Sequence, residues 1–466
     1  MDADLVVVGC GPIGLMAAIR ATQHGLTVIA VDRLTGVYPL PRAIGMDDEV
    51  QRLFATAGML DGLRGCSTPM PGAEFQDRHG TRVIGYDIPP DLVGPNGHPP
   101  VIAFDQPSLE RLMRTRARDI GVEVRLSTDV TGLTGTTVHT DGGDIIGRWV
   151  LGADGASSFV RKHLGIALED QGIDESWVVA DTTLLDPELP LPRNCIQHCE
   201  PARVITFVPG HGTRRRWEFQ LLPGETHDEM GSHERVAELL ARWGTSTELQ
   251  IDRVAVYRFH ATVADRFRVG DVFIAGDAAH QMPPFNGQGM CSGMRDADNL
   301  AWKLAAVASG TADEALLDTY DLERRPHARG QVEHSADAGR LINTIARGGE
   351  AALESGYGGG RSFPHLEGGC IVGDHPRVGH PFPQPVIDGT GFDPTLGDGW
   401  AAVITADAEP DLPAGLHQVV ADPAHFPGLV EPGVTVLVRP DRHVAAVTND
   451  VPAALSALTA TGMRFG

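Results

Sequence analysis

Residues 5–8 form an unbroken apolar run, Leu-Val-Val-Val, and "TVIAV" at 27–31 forms a second. Such short runs predict strands buried on both faces, the habit of a parallel sheet. Between them Ile13, Met16, Ala17 and Ala21 recur at helical spacing, so the first 32 residues predict strand, helix, strand. A third run, "VFIA" at 272–275, precedes another helical pattern: Met294, Ala297, Leu300, Ala301, Leu304, Ala305 and Ala308 fall on one face. Residues 203–220 differ. "RVITFVPG" and "RRRWEFQLLPG" read as strands joined by the turn "GHGT", and Trp217 and Phe219 alternate with Arg216 and Glu218. Farther on, "AAVIT", "HQVVA" and "TVLVRPDRHVAAV" predict the strands of a separate unit within 380–466. The glycine-rich stretch before it reads as a flexible connector.

Composition narrows the function classes. A chain of 466 residues is long enough for two or three domains. Its formal net charge of −23 argues against binding nucleic acid or an anionic membrane, since both would repel it. No apolar run approaches the roughly 18–20 residues that a membrane span needs. "MDADLVVVG" carries no basic region or cleavage site, and six scattered cysteines are no disulfide framework, so a reducing cytoplasm is the expected compartment. "CIQHC" clusters Cys195, His198 and Cys199 without a second ligand pair, and no metal is expected.

The chemistry starts at Gly9, Gly11 and Gly14, which give G-x-G-x-x-G directly after a strand and open a helix. The first glycine permits a tight turn, the second lets a pyrophosphate approach the backbone, and the third lets helix and strand pack closely. Asp32 ends the next strand, where a carboxylate can accept hydrogen bonds from a ribose. A dinucleotide is therefore expected. "GDAAHQMPPFNGQGM" (276–290) favours a flavin over a nicotinamide. Asp277 could bind the hydroxyls of a ribityl chain, and the following loop would offer backbone N–H groups at a helix N-terminus to the pyrimidine edge. Pro283 and Pro284 stiffen its approach.

These motifs, with "LGADGASSFVRKHLG" from Leu151, resemble the class A flavoprotein aromatic hydroxylases of the para-hydroxybenzoate hydroxylase superfamily. "PRAIGMDDE", "RRWEFQLLPGE", "GMRDADNLAWKLA", "LLDTYDLERRPHA" and "VLVRPDRHVAA" are similar to one branch, the 3-(3-hydroxyphenyl)propionate hydroxylases. The resemblance implies FAD, with NADH or NADPH as electron donor and no separate nicotinamide domain. Gly9, Gly11, Gly14 and Asp32 would hold the ADP part. Arg42 and Gln106 would line the flavin site, Asp154 would lie near the pyrophosphate and the nicotinamide donor, and Asp277 would take the ribityl chain. Gly287, Gln288, Gly289 and Met290 would surround the pyrimidine edge. The implied reaction is ortho-hydroxylation of a small phenol by dioxygen through a C4a-hydroperoxyflavin. The alternatives are a same-fold enzyme oxygenating a polyketide or other polycyclic aromatic, and a flavoprotein without oxygenase activity.

The implied fold is mixed α/β: a Rossmann-like FAD domain (1–75, 101–168, 256–345) interleaved with a β-sheet substrate domain (76–100, 169–255). A linker (346–379) leads to a thioredoxin-like unit (380–466), which has no cysteine and so no thiol chemistry; a scaffold or homodimer contact is its expected use. Trp217 and Phe219 are candidate substrate contacts. Tyr257 and His260 are candidates to hydrogen-bond a phenol, with Arg42 and Pro284 beside the reacting centre. Phenol hydroxylases keep an aspartate two residues after the position of Arg42. Ile44 stands there in this chain, which leaves the general base open, and Asp47 and Asp48 follow in the family's pattern.

Overall fold

The computed structural model describes residues 1–39, 41–348, 364–408 and 410–465. Its first sheet has the strand order Arg268–Val269, Val272–Ile274, Gly143–Gly152, Ala3–Val8, Val28–Val31, Glu123–Arg125, with a small hairpin extending Gly143–Gly152. Ala3–Val8 runs parallel to both neighbours, and Gly143–Gly152 parallel to Val272–Ile274. Val8 lies opposite Gly152, which lies opposite Ile274. The three motifs therefore leave the sheet side by side, at the carboxyl ends of parallel strands where α/β sheets bind ligands. Helix Pro12–Gln23 packs against this sheet, and helix Gly289–Ala308 packs against that helix.

A second, largely antiparallel sheet of eight strands roofs those ends. Its order is His280–Gln281, Leu249–Ala264, Leu168–Leu184, Arg214–Gln220, Val204–Pro209, Cys195–Cys199, Gly72–Gln76, Arg82–Asp87. Both faces are covered. Val178, Ala180, Phe207, Trp217 and Phe219 pack with Met230, Val236 and Leu240 on the outer side. The inner side faces the first sheet's motifs and the 29-residue helix Asp318–Ala346. Leu249–Ala264 is one continuous strand of this roof, so the sheet runs past the boundary expected at 255/256.

The C-terminal sheet orders His417–Val420, Ala401–Ile404, Thr435–Val438, Val444–Thr448, parallel in its first pair and antiparallel thereafter, with helix Val451–Thr459 following. The mixed α/β class and a separate C-terminal sheet agree with the sequence reading. The connector needs correction. Residues 349–363 of it lie outside the described residues, but in 364–379 Leu366, Cys370 and Val378 are buried, and Cys370 N donates to Glu323 Oε1 at 2.8 Å. That stretch is packed core, because it bridges the C-terminal sheet and the long helix.

Candidate active site

One cavity of about 370 Å³ lies where the roof meets the three motifs. Its floor includes Gly11, Ala153, Gly155, Asp277, Gly287, Gly289 and Met290, and its near wall Arg42, Ile44 and Gln106. At Gly9 φ is +106°, and a Cβ would stand 2.4 Å from Ala153 O. At Gly14 a Cβ would meet Gly9 O at 1.9 Å. Gly11, by contrast, faces space with no atom within 4 Å of a Cβ. Gly9 thus lets the turn pass close to the end of the neighbouring strand, Gly14 lets the helix pack on its own strand, and Gly11 leaves room for a ligand.

Each acid has a distinct position. Asp32 Oδ2 accepts from Cys10 N at 2.7 Å and Oδ1 from Leu34 N at 2.8 Å, so it fastens the glycine turn to the loop after the second strand. Asp154 Oδ2 accepts from Phe159 N and Val160 N at the start of a short helix. Its Oδ1 is buried and has no partner among the described residues, a costly state unless something binds there. Asp277 is exposed in the cavity wall and makes no hydrogen bond among the described residues. Helix Gly289–Ala308 begins with no side-chain cap, so its first N–H groups are open beside Gly289 and Met290. Gln288 itself is 1% exposed and turns away to Arg295 Nη1 at 3.2 Å. An open glycine, an orphaned carboxylate oxygen, a free carboxylate and an uncapped helix fit a dinucleotide carrying a flavin.

Asp277→Ala should weaken FAD binding at least about tenfold, since charge-assisted hydrogen bonds are worth roughly 1.5–3 kcal/mol each and ~1.4 kcal/mol is one decade. Titrating the apoprotein with FAD by flavin fluorescence measures this. An unchanged dissociation constant would assign Asp277 a structural role.

The roof reverses one expectation. Trp217 and Phe219 are fully buried on the outer face, away from the cavity, where both pack near Trp243. Their neighbours Arg216 and Glu218 line the cavity instead. The alternation is as read, but the face is opposite, because the outer face also has a cover of apolar helix. Arg216 Nε and Arg253 Nη1 both bond Asp181, at 2.7 and 3.1 Å. Arg216 Nη1 and Nη2 donate to the carbonyls of Arg42 and Pro41, and Arg253 Nη1 donates to Pro41 O as well. Gln106, 3% exposed, accepts from Arg42 N and Ala43 N at 2.7 Å each. The loop carrying Arg42 and Ile44 is thus clamped from both sides, while the Arg42 side chain stays exposed in the cavity wall.

Tyr257 and Phe259 line the cavity, with Pro284 and Phe285 opposite. His260 does not. It stands across from Asp174 on the neighbouring strand, outside the cavity wall. Asp47 and Asp48 are also outside it. Asp47 pairs with Arg295 at 2.7 Å and caps the helix Asp48–Thr56. Burial and the neighbouring Asp47 push the Asp48 carboxyl up to about 6 while it accepts from Asn96. Sequence reasoning missed Glu218, Gln197, Thr206 and Arg253 as cavity residues. Only a cross-strand register could have found them.

The family described as "FAD binding domain" matches residues 2–335. The chain belongs to that family. A 3-(3-hydroxy-phenyl)propionate/3-hydroxycinnamic acid hydroxylase of Paraburkholderia xenovorans (strain LB400) is 37% identical over 362 residues, covering 75% of this chain and 57% of that protein. The matched part thus spans little more than half of that relative's length. A "Probable NADH-specific resorcinol 4-hydroxylase" of Rhodococcus jostii (strain RHA1) is 33% identical over 435 residues, 86% of this chain and 78% of that one. Among solved structures, the flavin-dependent monooxygenase PieE in complex with FAD and substrate shares the fold at a TM-score of 0.81 and 23% identity, covering 99% of both chains. Membership of the FAD-binding family accounts for the glycine cradle, and the fold shared with that solved structure includes the roofed cavity. No helix among the described residues is long and apolar enough to cross a membrane.

Proposed function

We propose that this FAD-binding chain is a single-component hydroxylase that consumes NADH or NADPH and dioxygen and adds one oxygen atom ortho to the hydroxyl of a small phenol. The observation that carries this reading is that the glycine cradle and an aromatic and polar roof face each other across one cavity. Gly9, Gly11, Gly14, Asp32 and Asp154 would hold the ADP half of FAD. Arg42, Gln106, Asp277, Gly287, Gly289 and Met290 would hold the flavin half, with Gln288 bracing the loop from behind. When bound, the flavin supplies reduction by the nicotinamide donor and activation of dioxygen. The protein's own part is position and exclusion of water. Tyr257, Phe259, Phe285 and Pro284 give flat apolar contact for an aromatic ring, and the clamped 41–44 loop fixes the opposite wall.

The protein should purify yellow and release FAD on acid or heat precipitation; FMN, or no flavin after reconstitution, would refute the cofactor assignment. Fed 3-(3-hydroxyphenyl)propionate and simpler phenols with NADH and labelled dioxygen, it should place one labelled atom in a catechol-type product. A second reading, a larger polycyclic aromatic substrate, is favoured by one feature. A neighbouring cavity of about 540 Å³ shares Met70 and Val101 with the first. If every phenol yields only hydrogen peroxide while a polycyclic aromatic is hydroxylated, the second reading holds.

A further inference from the structure

Glu218 is 5% exposed and lines the cavity at the middle of the roof's inner face. One row of cross-strand neighbours runs Gln197, Thr206, Glu218, Val179. Thr206 spends its hydroxyl on Gln197 Oε1 at 2.7 Å. The Glu218 carboxyl makes no hydrogen bond among the described residues, and Arg216 Nη1, at 3.9 Å, is too far to donate one. Glu218 lines the cavity with no protein donor on its carboxylate, so a ligand entering there meets an available acceptor. Arg216 is held away from it, because Asp181 and the carbonyls of Arg42 and Pro41 engage its Nε, Nη1 and Nη2. Ile44 meanwhile presents no acid on the opposite wall.

We propose that Glu218 binds the ring hydroxyl of the phenolic substrate and takes its proton. This rests on the hydroxylase reading above. The phenol O–H bond breaks, its electron pair stays on the phenolate oxygen, and the proton passes to a Glu218 carboxylate oxygen, to leave for solvent with the product. Burial raises the Glu218 pKa, Arg216 offsets part of that, and Asp181 adds to it. A carboxylate raised in this way is a stronger base, nearer to a phenol in proton affinity. The other titratable groups around it are Arg216 on its own strand, Asp181 across the sheet, and Arg42, Arg253, Tyr257, Cys195 and Asp277 on the cavity wall. Asp181 is bonded by both arginines, whereas Glu218 has Arg216 Nη1 at 3.9 Å and no hydrogen bond among the described residues.

The test uses the FAD-loaded protein, E218Q and E218D on phenol and a series of ring-fluorinated, more acidic phenols. E218Q should retain FAD and lose at least about 100-fold in kcat on phenol, the size of a general-base contribution. KM should change less. The loss should shrink as the phenol becomes more acidic, because an ionised substrate needs no base. The wild-type rate should fall on the acid side as Glu218 protonates, and in E218Q that limb should move toward the pKa of the phenol itself. A loss equal for all phenols, or an E218Q rate equal to wild type, overturns the assignment. If E218Q does not retain FAD, E218D decides: a deficit that shrinks with phenol acidity supports the assignment, and one indifferent to acidity overturns it. If the wild type hydroxylates no phenol, the hydroxylase reading itself has failed and this inference falls with it.

Discussion

Replacing Glu323 by alanine will cost the fold about 3 kcal/mol, the low end of what removing one partner of a buried ion pair costs. Glu323, on the long helix, is 1% exposed. Its carboxylate meets Lys303 Nζ at 2.8 Å, Arg439 Nη2 at 2.8 Å, Asn299 Nδ2 at 2.7 Å and Cys370 N at 2.8 Å. Helix Gly289–Ala308, the stretch after 364 and the C-terminal sheet thus share one carboxylate. Without it Lys303 is a buried cation with no counter-ion. Arg439 keeps Asp441, and burial already lowers Lys303 to about 8, so the lysine can shed its proton; both facts limit the loss. Urea denaturation checks this, and a loss below about 1 kcal/mol would place the network among ion pairs that only break even.

The same carboxyl sets a pH dependence. Burial alone would raise it, but Arg439 and Lys303 outweigh burial and hold it at about 2, below its ordinary 4.5. A depressed carboxyl stabilises the fold fully above its ordinary value and loses that contribution as the pH falls through its folded value. The stability gap between wild type and Glu323→Gln should therefore narrow between about pH 4.5 and 2.

Gly14→Ala should yield protein that retains almost no FAD. The new Cβ would stand 1.9 Å from Gly9 O, a backbone atom that cannot swing aside, so helix Pro12–Gln23 must lift from its strand. Overpacking of this kind costs roughly 1–3 kcal/mol, and it also displaces the helix N-terminus that would face the pyrophosphate. Gly11→Ala is the informative partner. Its Cβ meets nothing within 4 Å, so the apoprotein should keep its denaturation midpoint while FAD affinity falls. Equal stability loss in both variants would mean that Gly11 faces protein and not ligand.

The strand, turn and helix around Gly9–Gly14 and the strand that ends before Asp277 were legible because each motif is contiguous: they are set by neighbours in the chain, and local sterics suffice to recognise them. The helix at 289–308 was legible for the same reason, although burial on nearly all sides conceals why Asp296, Asn299 and Lys303 are polar. Those residues pair with Glu323, Arg324 and Asp441, and no spacing along the helix reveals such partners. The packed stretch after 364 was misread as connector because glycine content reports local freedom and not what lies alongside.

The roof separates the two kinds of information most sharply. The sequence by itself determined that 214–220 is a strand with two unlike faces, since period-two alternation is a property of the extended backbone. It also determined the strand–glycine–helix cradle, because that geometry closes within 32 residues. Only the tertiary structure decided which face of the strand looks into the cavity. Both faces of this sheet are covered, so aromatic residues do not mark the ligand side. Arg216 could be buried there because its donors reach carbonyls 174 and 175 residues away in sequence. Glu218 faces the same cavity with no such partner, and its orientation follows from register with Thr206 and Val179, a long-range pairing that alternation leaves undetermined.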